Sequence, residues 1–339
     1  MANAKAPGGA VGPVPFAEAG VGDAVQDHSV KEYAGAVAAL PTNAKLRLCC
    51  YQGTWVRDRW VPGIMAIQRS FTPRRGDVVL ATPPKCGTTW LKALAFATMA
   101  RRAYPPTHAQ HPLLRLNPHD CVPFMEDLFA AGWGSKMGAL PSPRLMATHI
   151  QHPVLPACIS NNPDCKIVYI CREPKDMLVS MWHFITKMYK PDGPGHSFSD
   201  FFEGACEGVC VSGPIWDHVL GYWNASKMSP ETILFLRYEE ILRDPLVNLR
   251  KLAQFLGQPF SAAEEEAGVV TSIAKLCSFE KLKHLVVNRT GGRSSLLRND
   301  VYFRKGEAGD WANHMTDEMA RRLDAIVEEK VRGSGLSFA

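Results

Sequence analysis

One loop of the sequence carries residue types that are suited to binding an anion. Lys85, Gly87 and two adjacent threonines occur in the segment Thr82-Pro-Pro-Lys-Cys-Gly-Thr-Thr-Trp90, between an apolar run and a helix pattern. Unpaired N–H groups in a first helical turn and the positive end of the helix dipole bind anions, and a lysine adds charge. The loop therefore predicts a phosphate site, although its spacing differs from the G-x-x-x-x-G-K-[ST] loop of nucleotide kinases.

Two further segments supply guanidinium groups. Arg172 directly follows the apolar run Lys166-Ile-Val-Tyr-Ile-Cys171 and precedes Ser180 by eight positions, and a basic loop near the end of the chain contains Arg304-Lys-Gly306. Guanidinium groups can hold phosphate through two parallel hydrogen bonds. Both segments are therefore candidate anion sites.

Together these segments resemble the cytosolic sulfotransferases, which use 3′-phosphoadenosine 5′-phosphosulfate (PAPS). Pro84-Lys-Cys-Gly-Thr-Thr-Trp90 is similar to the family loop PKxGTTW, the stretch from Tyr169 to Ser180 to its second donor motif, and Arg304-Lys-Gly-Glu-Ala-Gly-Asp-Trp311 to RKGxxGDW. The motifs occur in family order, and the similarity begins near residue 51. The string Leu91-Lys-Ala-Leu-Ala-Phe96 favours a plant-type member.

The resemblance implies a site for PAPS and its product PAP. It assigns the 3′-phosphate to the arginine motifs, the adenine to Trp90 and Phe279, and the base edge to Tyr238, while Cys277 stands where the family usually has threonine. A nucleotide with phosphates at both ends of its ribose needs two anion sites. The Lys85 loop and the two arginine segments can provide them. The predicted donor-binding residues are Lys85, Cys86, Gly87, Thr88, Thr89, Trp90, Arg172, Ser180, Tyr238, Cys277, Phe279, Arg304, Lys305 and Gly306.

The resemblance also implies catalytic residues. A hydroxyl acceptor has to lose its proton, and a phenol with a pKa of about 10 keeps that proton at neutral pH, so a base is required. The segment Arg144-Leu-Met-Ala-Thr-His149 is similar to the family segment that supplies this base, and His152 is the rival. Many animal relatives have lysine at the position of Ala147, so Lys85 is expected to be the main cation on the leaving oxygen, with Ser180 restraining it.

The expected acceptor is a small, largely apolar molecule with a hydroxyl group. Phe124 and Phe184 match family positions that line the acceptor pocket, while Phe129, Trp133 and Trp223 are weaker candidates. Phenolics, flavonoids and phenylpropanoids are favoured, with hydroxyjasmonates and steroid-like alcohols as alternatives.

No metal is expected, because Arg172 stands where a kinase would have an acidic residue to organise Mg²⁺, and Cys, His and carboxylate residues form no ligand set. A metal-dependent nucleotide kinase or NTPase is the first alternative function. A noncatalytic protein that binds PAPS or its product is the second.

Short apolar runs have to position these groups. Asp77–Ala81, Lys166–Cys171 and Thr232–Leu236 are typical of buried strands, and helix patterns follow at Thr88–Arg102 and Asp176–Met188. The alternation predicts an α/β fold: a single domain with a mainly parallel central sheet flanked by helices, of the P-loop-kinase-like sulfotransferase type. Residues 41–339 form this domain, and residues 1–40, rich in Ala, Gly and Pro, form a flexible leader.

Composition narrows the class of protein and its setting. Lys plus Arg exceed Asp plus Glu by only 38 to 33, so nucleic-acid binding is not expected, and 46% hydrophobic residues can form a large core. The ten cysteines form no disulfide framework, and neither a signal peptide nor a membrane span is expected, so we predict a cytoplasmic protein. The stretch Ala312–Arg321 retains little of a dimerisation segment found in animal relatives, so a monomer is predicted.

Overall fold

The computed structural model describes residues 12–19, 32–189, 197–292 and 298–338. In these residues a small antiparallel sheet has the strand order β1-β2-β3, and a central parallel sheet has the order β5-β4-β6-β7. The strands are β1 Thr42–Asn43, β2 Leu48–Tyr51, β3 Thr54–Val56, β4 Val78–Ala81, β5 Leu145–Thr148, β6 Lys166–Cys171 and β7 Ile233–Arg237.

Helices cover both faces of the central sheet. They are α1 Ala34–Ala38, α2 Val61–Ser70, α3 Thr88–Met99, α4 Pro118–Cys121, α5 Met125–Ala130, α6 Gly134–Ala139, α7 Ala157–Ser160, α8 Pro174–Tyr189, α9 Phe198–Cys206, α10 Ile215–Met228, α11 Tyr238–Arg243, α12 Pro245–Phe255, α13 Ala262–Glu266, α14 Val269–Leu276, α15 Phe279–His284, α16 Val286–Thr290 and α17 Asp317–Val331. Short 3₁₀ helices span Phe16–Glu18, Asp58–Trp60, Pro112–Leu114, His152–Val154, Asn299–Tyr302 and Asp310–Asn313.

The central strands are apolar except at one end of β5, β6 and β7, because both faces of the sheet are buried. Val79 and Tyr169 pack into one hydrophobic cluster, while their neighbours Leu80 and Val168 pack into a second cluster on the opposite face. Side chains alternate between the faces of a strand, so a sheet covered on both sides needs apolar residues at every position.

β4 and β5 end in register with each other, and β6 and β7 end in register two residues further along. Ala81 is in register with Thr148 on one side and with Tyr169 on the other. Thr82, His149, Arg172 and Tyr238 each come directly after a strand and therefore meet at one edge of the sheet. Ligands of open α/β sheets bind outside this carboxyl edge.

The predicted mainly parallel sheet flanked by helices is confirmed, and the three predicted strands are present within one residue at their ends. The first predicted helix ends at Met99 instead of Arg102. The reason is tertiary: the side chain of Arg101 is buried and donates hydrogen bonds to Glu264, at 2.7 Å, and to the carbonyl oxygen of Thr98.

The antiparallel sheet was not anticipated from the sequence. Its β2–β3 turn contains Gln52 and Gly53, both with positive φ angles, of 49° and 79°. Two such residues are typical of the tightest hairpin turns.

Described parts of the predicted leader pack onto the domain. Glu18 forms an ion pair with Arg115, and Tyr33 belongs to one of the two hydrophobic clusters. The flexible leader and its boundary at residue 40 remain predictions, and residues 1–11 and 20–31 lie outside the described residues. No helix within the described ranges is both long and apolar enough to cross a membrane.

Candidate active site

A cavity of about 360 Å³ lies at the carboxyl edge of the central sheet. It is lined by Phe124 and Phe184 and by every predicted donor-binding and catalytic residue except Cys86 and Cys277. Those that line it are Lys85, Gly87, Thr88, Thr89, Trp90, Phe124, His149, Arg172, Ser180, Tyr238, Phe184, Phe279, Arg304, Lys305 and Gly306.

The loop between β4 and α3 forms one wall of the cavity. Gly87 precedes the helix with a φ angle of 95°, and a Cβ atom at this position would lie 2.7 Å from the ring of Tyr238. Both the backbone angle and the close approach require glycine there. The first turn of α3, at Thr88 and Thr89, therefore reaches the cavity and can offer its N–H groups to an anion.

Lys85 lies among other cations at this loop. Burial, followed by the charges of Arg172 and Arg304, lowers the pKa of its amine from 10.5 to about 7. Its Nζ lies 4.2 Å from the centre of the Phe184 ring. An anionic ligand beside this lysine would raise its pKa again, because a negative charge favours the charged form of the amine. Ser180 lines the same cavity, but the described contacts include no hydrogen bond between Ser180 and Lys85.

Two arginines form a second part of the cavity wall, close enough to Lys85 for their charges to lower its pKa. Arg172 donates to the carbonyl oxygen of Glu307 at 2.6 Å, lies 3.3 Å from Asp176, and stacks 4.7 Å from the centre of the Tyr238 ring. Arg304 forms an ion pair with Asp310. In the described structure the buried Nε–H groups of both arginines have no hydrogen-bond acceptor. Because buried donors are normally satisfied, these two point to a ligand with acceptor oxygens.

Two aspartates hold the C-terminal basic loop in place. Asp176, in the first turn of α8, accepts hydrogen bonds from the N–H groups of Gly309, at 2.7 Å, and Trp311, at 2.9 Å. Burial tends to raise the pKa of the Asp310 carboxyl, but hydrogen bonds from Lys305 and Arg304 dominate and hold it well below its usual range. The loop is thus fixed against α8 by charged acceptors.

Aromatic rings surround the space between the two anion sites. Trp90 and Tyr238 meet edge to face at 5.7 Å, and the buried indole N–H of Trp90 has no acceptor among the described residues. A Cβ atom on Gly306 would lie 2.5 Å from the Phe279 ring, so only glycine lets this loop approach that ring. Aromatic rings that line the same cavity as the anion sites suit a flat base such as adenine.

Cys86 and Cys277 are fully buried in the two hydrophobic clusters, away from the cavity wall. Their thiols therefore do not face the cavity, and burial raises the pKa of both.

His149 follows β5 and lines the cavity, and one hydrogen bond fixes its tautomer. Its Nδ1 lies 2.7 Å from the carbonyl oxygen of Thr82, which can only accept, so Nδ1 carries the proton and Nε2 keeps a lone pair. Burial lowers the pKa of the imidazole from 6.5 to about 3, which keeps it neutral. The rings of Phe124 and Trp60 lie 4.5 Å and 5.7 Å from that of His149. The geometry gives a neutral imidazole that can accept a proton.

Buried polar groups fix the backbone of His149. Glu126 accepts its N–H at 2.8 Å and the hydroxyl of Thr148 at 3.0 Å, and burial raises the pKa of Glu126 to about 7. His218 lies 3.2 Å from the His149 carbonyl oxygen through its Nε2. Sequence reasoning missed Glu126 and His218. Glu126 comes two residues after the singled-out Phe124, which was the available signal, whereas nothing in the sequence marks His218.

The other aromatic and histidine candidates lie elsewhere. His152, the rival base, packs against Tyr222 with ring centres 5.3 Å apart, and it does not line the cavity. Phe129, Trp133 and Trp223 do not line it either. The cavity extends instead past Trp60. A second cavity of about 260 Å³ adjoins it, and both cavities are lined by Arg57, Arg59, Met181 and Val211.

The residues that line the cavity fit a nucleotide with two phosphates better than they fit a metal. The orphaned donors of Arg172, Arg304 and Trp90 and the glycine cradles at Gly87 and Gly306 suit oxygen-rich and flat groups. Within the described ranges no cluster of three or more His, Cys, Asp or Glu residues could hold a metal ion. That no metal is needed remains a prediction.

Comparison with known proteins identifies the family. The sulfotransferase domain model matches residues 75–335. Cytosolic sulfotransferase 5 of Arabidopsis thaliana is 43% identical over 89% of this chain and 95% of its own length. A solved Arabidopsis thaliana sulphotransferase superposes with a TM-score of 0.73 at 36% identity, covering 92% of this chain and 97% of that one.

A mouse sulfotransferase solved in complex with PAP is also similar, with a TM-score of 0.64 and 26% identity over 85% of this chain and 95% of that one. The domain match covers most of the chain. Cytosolic sulfotransferase 5 of Arabidopsis thaliana is 43% identical to this chain over 95% of the relative's length. These findings decide against a nucleotide kinase and against a protein that only binds its ligand. The chain therefore belongs to the sulfotransferase family, as a PAPS-dependent enzyme.

Proposed function

We propose that this enzyme transfers the sulfuryl group of PAPS to a hydroxyl of a small, largely apolar acceptor, with His149 as the general base. The observation that carries the proposal is the hydrogen bond from His149 Nδ1 to the Thr82 carbonyl oxygen. It leaves Nε2 as an acceptor in the cavity that also holds the two anion sites.

In this scheme the donor spans the cavity between its two anion sites. PAPS supplies the sulfuryl group and leaves as PAP. The first turn of α3 and Lys85 bind the 5′ end and stabilise the negative charge on its leaving oxygen. Arg172, Ser180 and Arg304 bind the 3′-phosphate, with Lys305 and the backbone of Gly306 beside them. His149 takes the acceptor proton at Nε2, so that the acceptor oxygen can attack sulfur.

The acceptor side favours flat, apolar molecules. Phe124, Phe184 and Trp60 present aromatic rings there, and Met181 adds an adaptable side chain. Phenolics, flavonoids and phenylpropanoids are therefore our first candidates, with hydroxyjasmonates and steroid-like alcohols as alternatives. We further propose that the enzyme is a cytosolic monomer that needs no metal; its curated relatives carry the name cytosolic sulfotransferase.

Incubation with PAPS and a panel of phenols, flavonoids, hydroxyjasmonates and steroid alcohols tests the proposal. The assay contains excess chelator and measures both sulfated product and released PAP. Sulfated product in equal amounts with PAP supports the proposal. PAP release without any sulfated product, or turnover that requires added Mg²⁺, contradicts it.

A further inference from the structure

Lys92 is fully buried in α3, one turn beyond the phosphate loop. Its Nζ donates to the carbonyl oxygen of Val122 at 2.8 Å, lies 3.0 Å from Nδ1 of His119, and lies 3.4 Å from the centre of the Phe124 ring. Lysine is rarely buried completely unless its charge is compensated. A carbonyl oxygen and an aromatic face both favour the charged ammonium form.

The position of this ammonium decides the tautomer of His119. An ammonium group can only donate, so Nδ1 of His119 has to accept and the ring proton is on Nε2. Nε2 lies 3.0 Å from the hydroxyl oxygen of Thr89 and therefore donates to it. The imidazole is itself buried and packs 4.2 Å from the Tyr302 ring and 5.3 Å from the Phe124 ring, so its orientation is fixed.

The Thr89 hydroxyl is consequently left with a proton to donate. A hydroxyl has one donor and two acceptor positions, and Nε2 of His119 uses an acceptor position. Thr89 lies in the first turn of α3 and lines the cavity. Its O–H group can thus point towards the anion that the same helical turn binds.

We propose that Lys92 and His119 are positioning residues that hold the Thr89 hydroxyl as a hydrogen-bond donor to the 5′ end of the sulfuryl donor. Lys92 polarises His119, and His119 polarises Thr89, so part of a buried positive charge acts at the phosphate loop without entering the cavity. The proposal rests on the proposed function, because that function places the 5′ end of PAPS at this helical turn.

Two ligands distinguish an effect on the 5′ end of the donor from an effect on the rest of the nucleotide. PAP carries a 5′-phosphate, whereas adenosine 3′-phosphate lacks it, and both are measured by calorimetry with the full-length protein. We expect Thr89→Val to weaken PAP binding roughly 10- to 100-fold, the range for a hydrogen bond to a charged group, and to leave adenosine 3′-phosphate binding unchanged. Thr89→Ser keeps the hydroxyl and is expected to bind PAP within about threefold of the parent protein.

The relay predicts coupling between the buried residues and Thr89. Lys92→Met is expected to weaken PAP binding in the parent protein but to have no further effect when Thr89→Val is present. His119→Gln can still donate to Thr89 and is expected to retain PAP affinity, whereas His119→Leu is expected to lose it. If Lys92→Met does not fold, His119→Leu takes its place in the same double-mutant cycle.

Thr98→Val is the matched control, since Thr98 is a buried threonine of the same helix whose hydroxyl has no partner among the described residues. It is expected to leave both affinities unchanged. Additive effects of Lys92→Met and Thr89→Val, or equal losses for His119→Gln and His119→Leu, overturn the relay but not the placement of the donor. Unchanged PAP binding in Thr89→Val overturns the proposed hydroxyl contact, and equal losses of PAP and adenosine 3′-phosphate binding in that variant overturn the placement of the 5′ end at this turn.

Discussion

Burial and one hydrogen bond decide the protonation state and the tautomer of His149. The pKa of about 3 keeps the imidazole neutral throughout the physiological range, and the Thr82 carbonyl oxygen holds the proton on Nδ1. The free side chain therefore does not titrate between pH 5 and 8. Its capacity as a base arises when substrates fill the cavity and a developing positive charge on the imidazole is stabilised beside the anionic donor.

His149→Ala is expected to lower kcat by roughly 10²- to 10⁴-fold, because general base catalysis is lost, while PAP affinity stays unchanged. Steady-state kinetics and calorimetry measure the two effects separately. His152→Ala is the control and is expected to keep normal turnover, since His152 packs against Tyr222 outside the cavity. Near-normal turnover in His149→Ala would remove this residue from the proposed role.

The lowered pKa of Lys85 makes donor binding depend on pH. With a pKa of about 7 the amine is mostly neutral at pH 8 in the free protein, and an anionic ligand raises that pKa, so binding takes up a proton. We expect uptake of close to one proton per PAP at pH 8, measured by calorimetry in two buffers of different ionisation enthalpy. Lys85→Met is expected to abolish the uptake; the same uptake in both proteins would assign it to another group.

Sequence reasoning found the residues that contact a ligand better than those that support them. Lys85 and Arg172 lie in loops that follow apolar strands, and Arg304 lies in a basic motif, so local patterns predict all three. Glu126 and Lys92 act through tertiary contacts with residues 23 and 27 positions away, and no local pattern encodes such contacts.

At the scale of elements, the site is assembled from strand ends and one anchored loop. Three of the four strands of the central sheet, β4, β6 and β7, were predicted because each is short and almost wholly apolar, whereas β5 was not predicted. The C-terminal basic loop was predictable only as a motif. Its position depends on the carboxylate of Asp176, which binds the N–H groups of Gly309 and Trp311.

Asp176→Ala is expected to raise the Kd for PAP about tenfold, although Asp176 is assigned no contact with the nucleotide in our scheme. The loop loses two charge-assisted hydrogen bonds, and Arg304 is no longer held in place for the 3′-phosphate. The binding of adenosine 3′-phosphate should weaken equally, because the affected end is the 3′ end. Asp164→Ala, at an exposed aspartate that pairs loosely with Arg75, is the control and should bind as the parent does. A selective loss for the 5′ end would contradict this assignment.

At the scale of the whole molecule, the sequence predicted the layers but not every sheet. Apolar side chains of β4 and β6 point to both faces of the sheet, so both faces have to be covered by helices. This is the architecture observed. The antiparallel sheet, whose strands are two to four residues long, was not predicted. The packing of Tyr33 against the core depends on a tertiary contact.

We expect the enzyme to act as a monomer. Light scattering after gel filtration should give the mass of one chain at all protein concentrations tested, with specific activity independent of concentration. A dimer mass that persists on dilution would contradict the prediction.

A crystal structure of the enzyme with PAP tests the central claim most directly, namely that one nucleotide links the phosphate loop to the arginine wall beside His149. We expect the 5′-phosphate at Lys85 and the first turn of α3, and the 3′-phosphate at Arg172 and Arg304. Open space for sulfate and acceptor should then face Nε2 of His149. A reversed nucleotide, or phosphates bound away from these two walls, would contradict it.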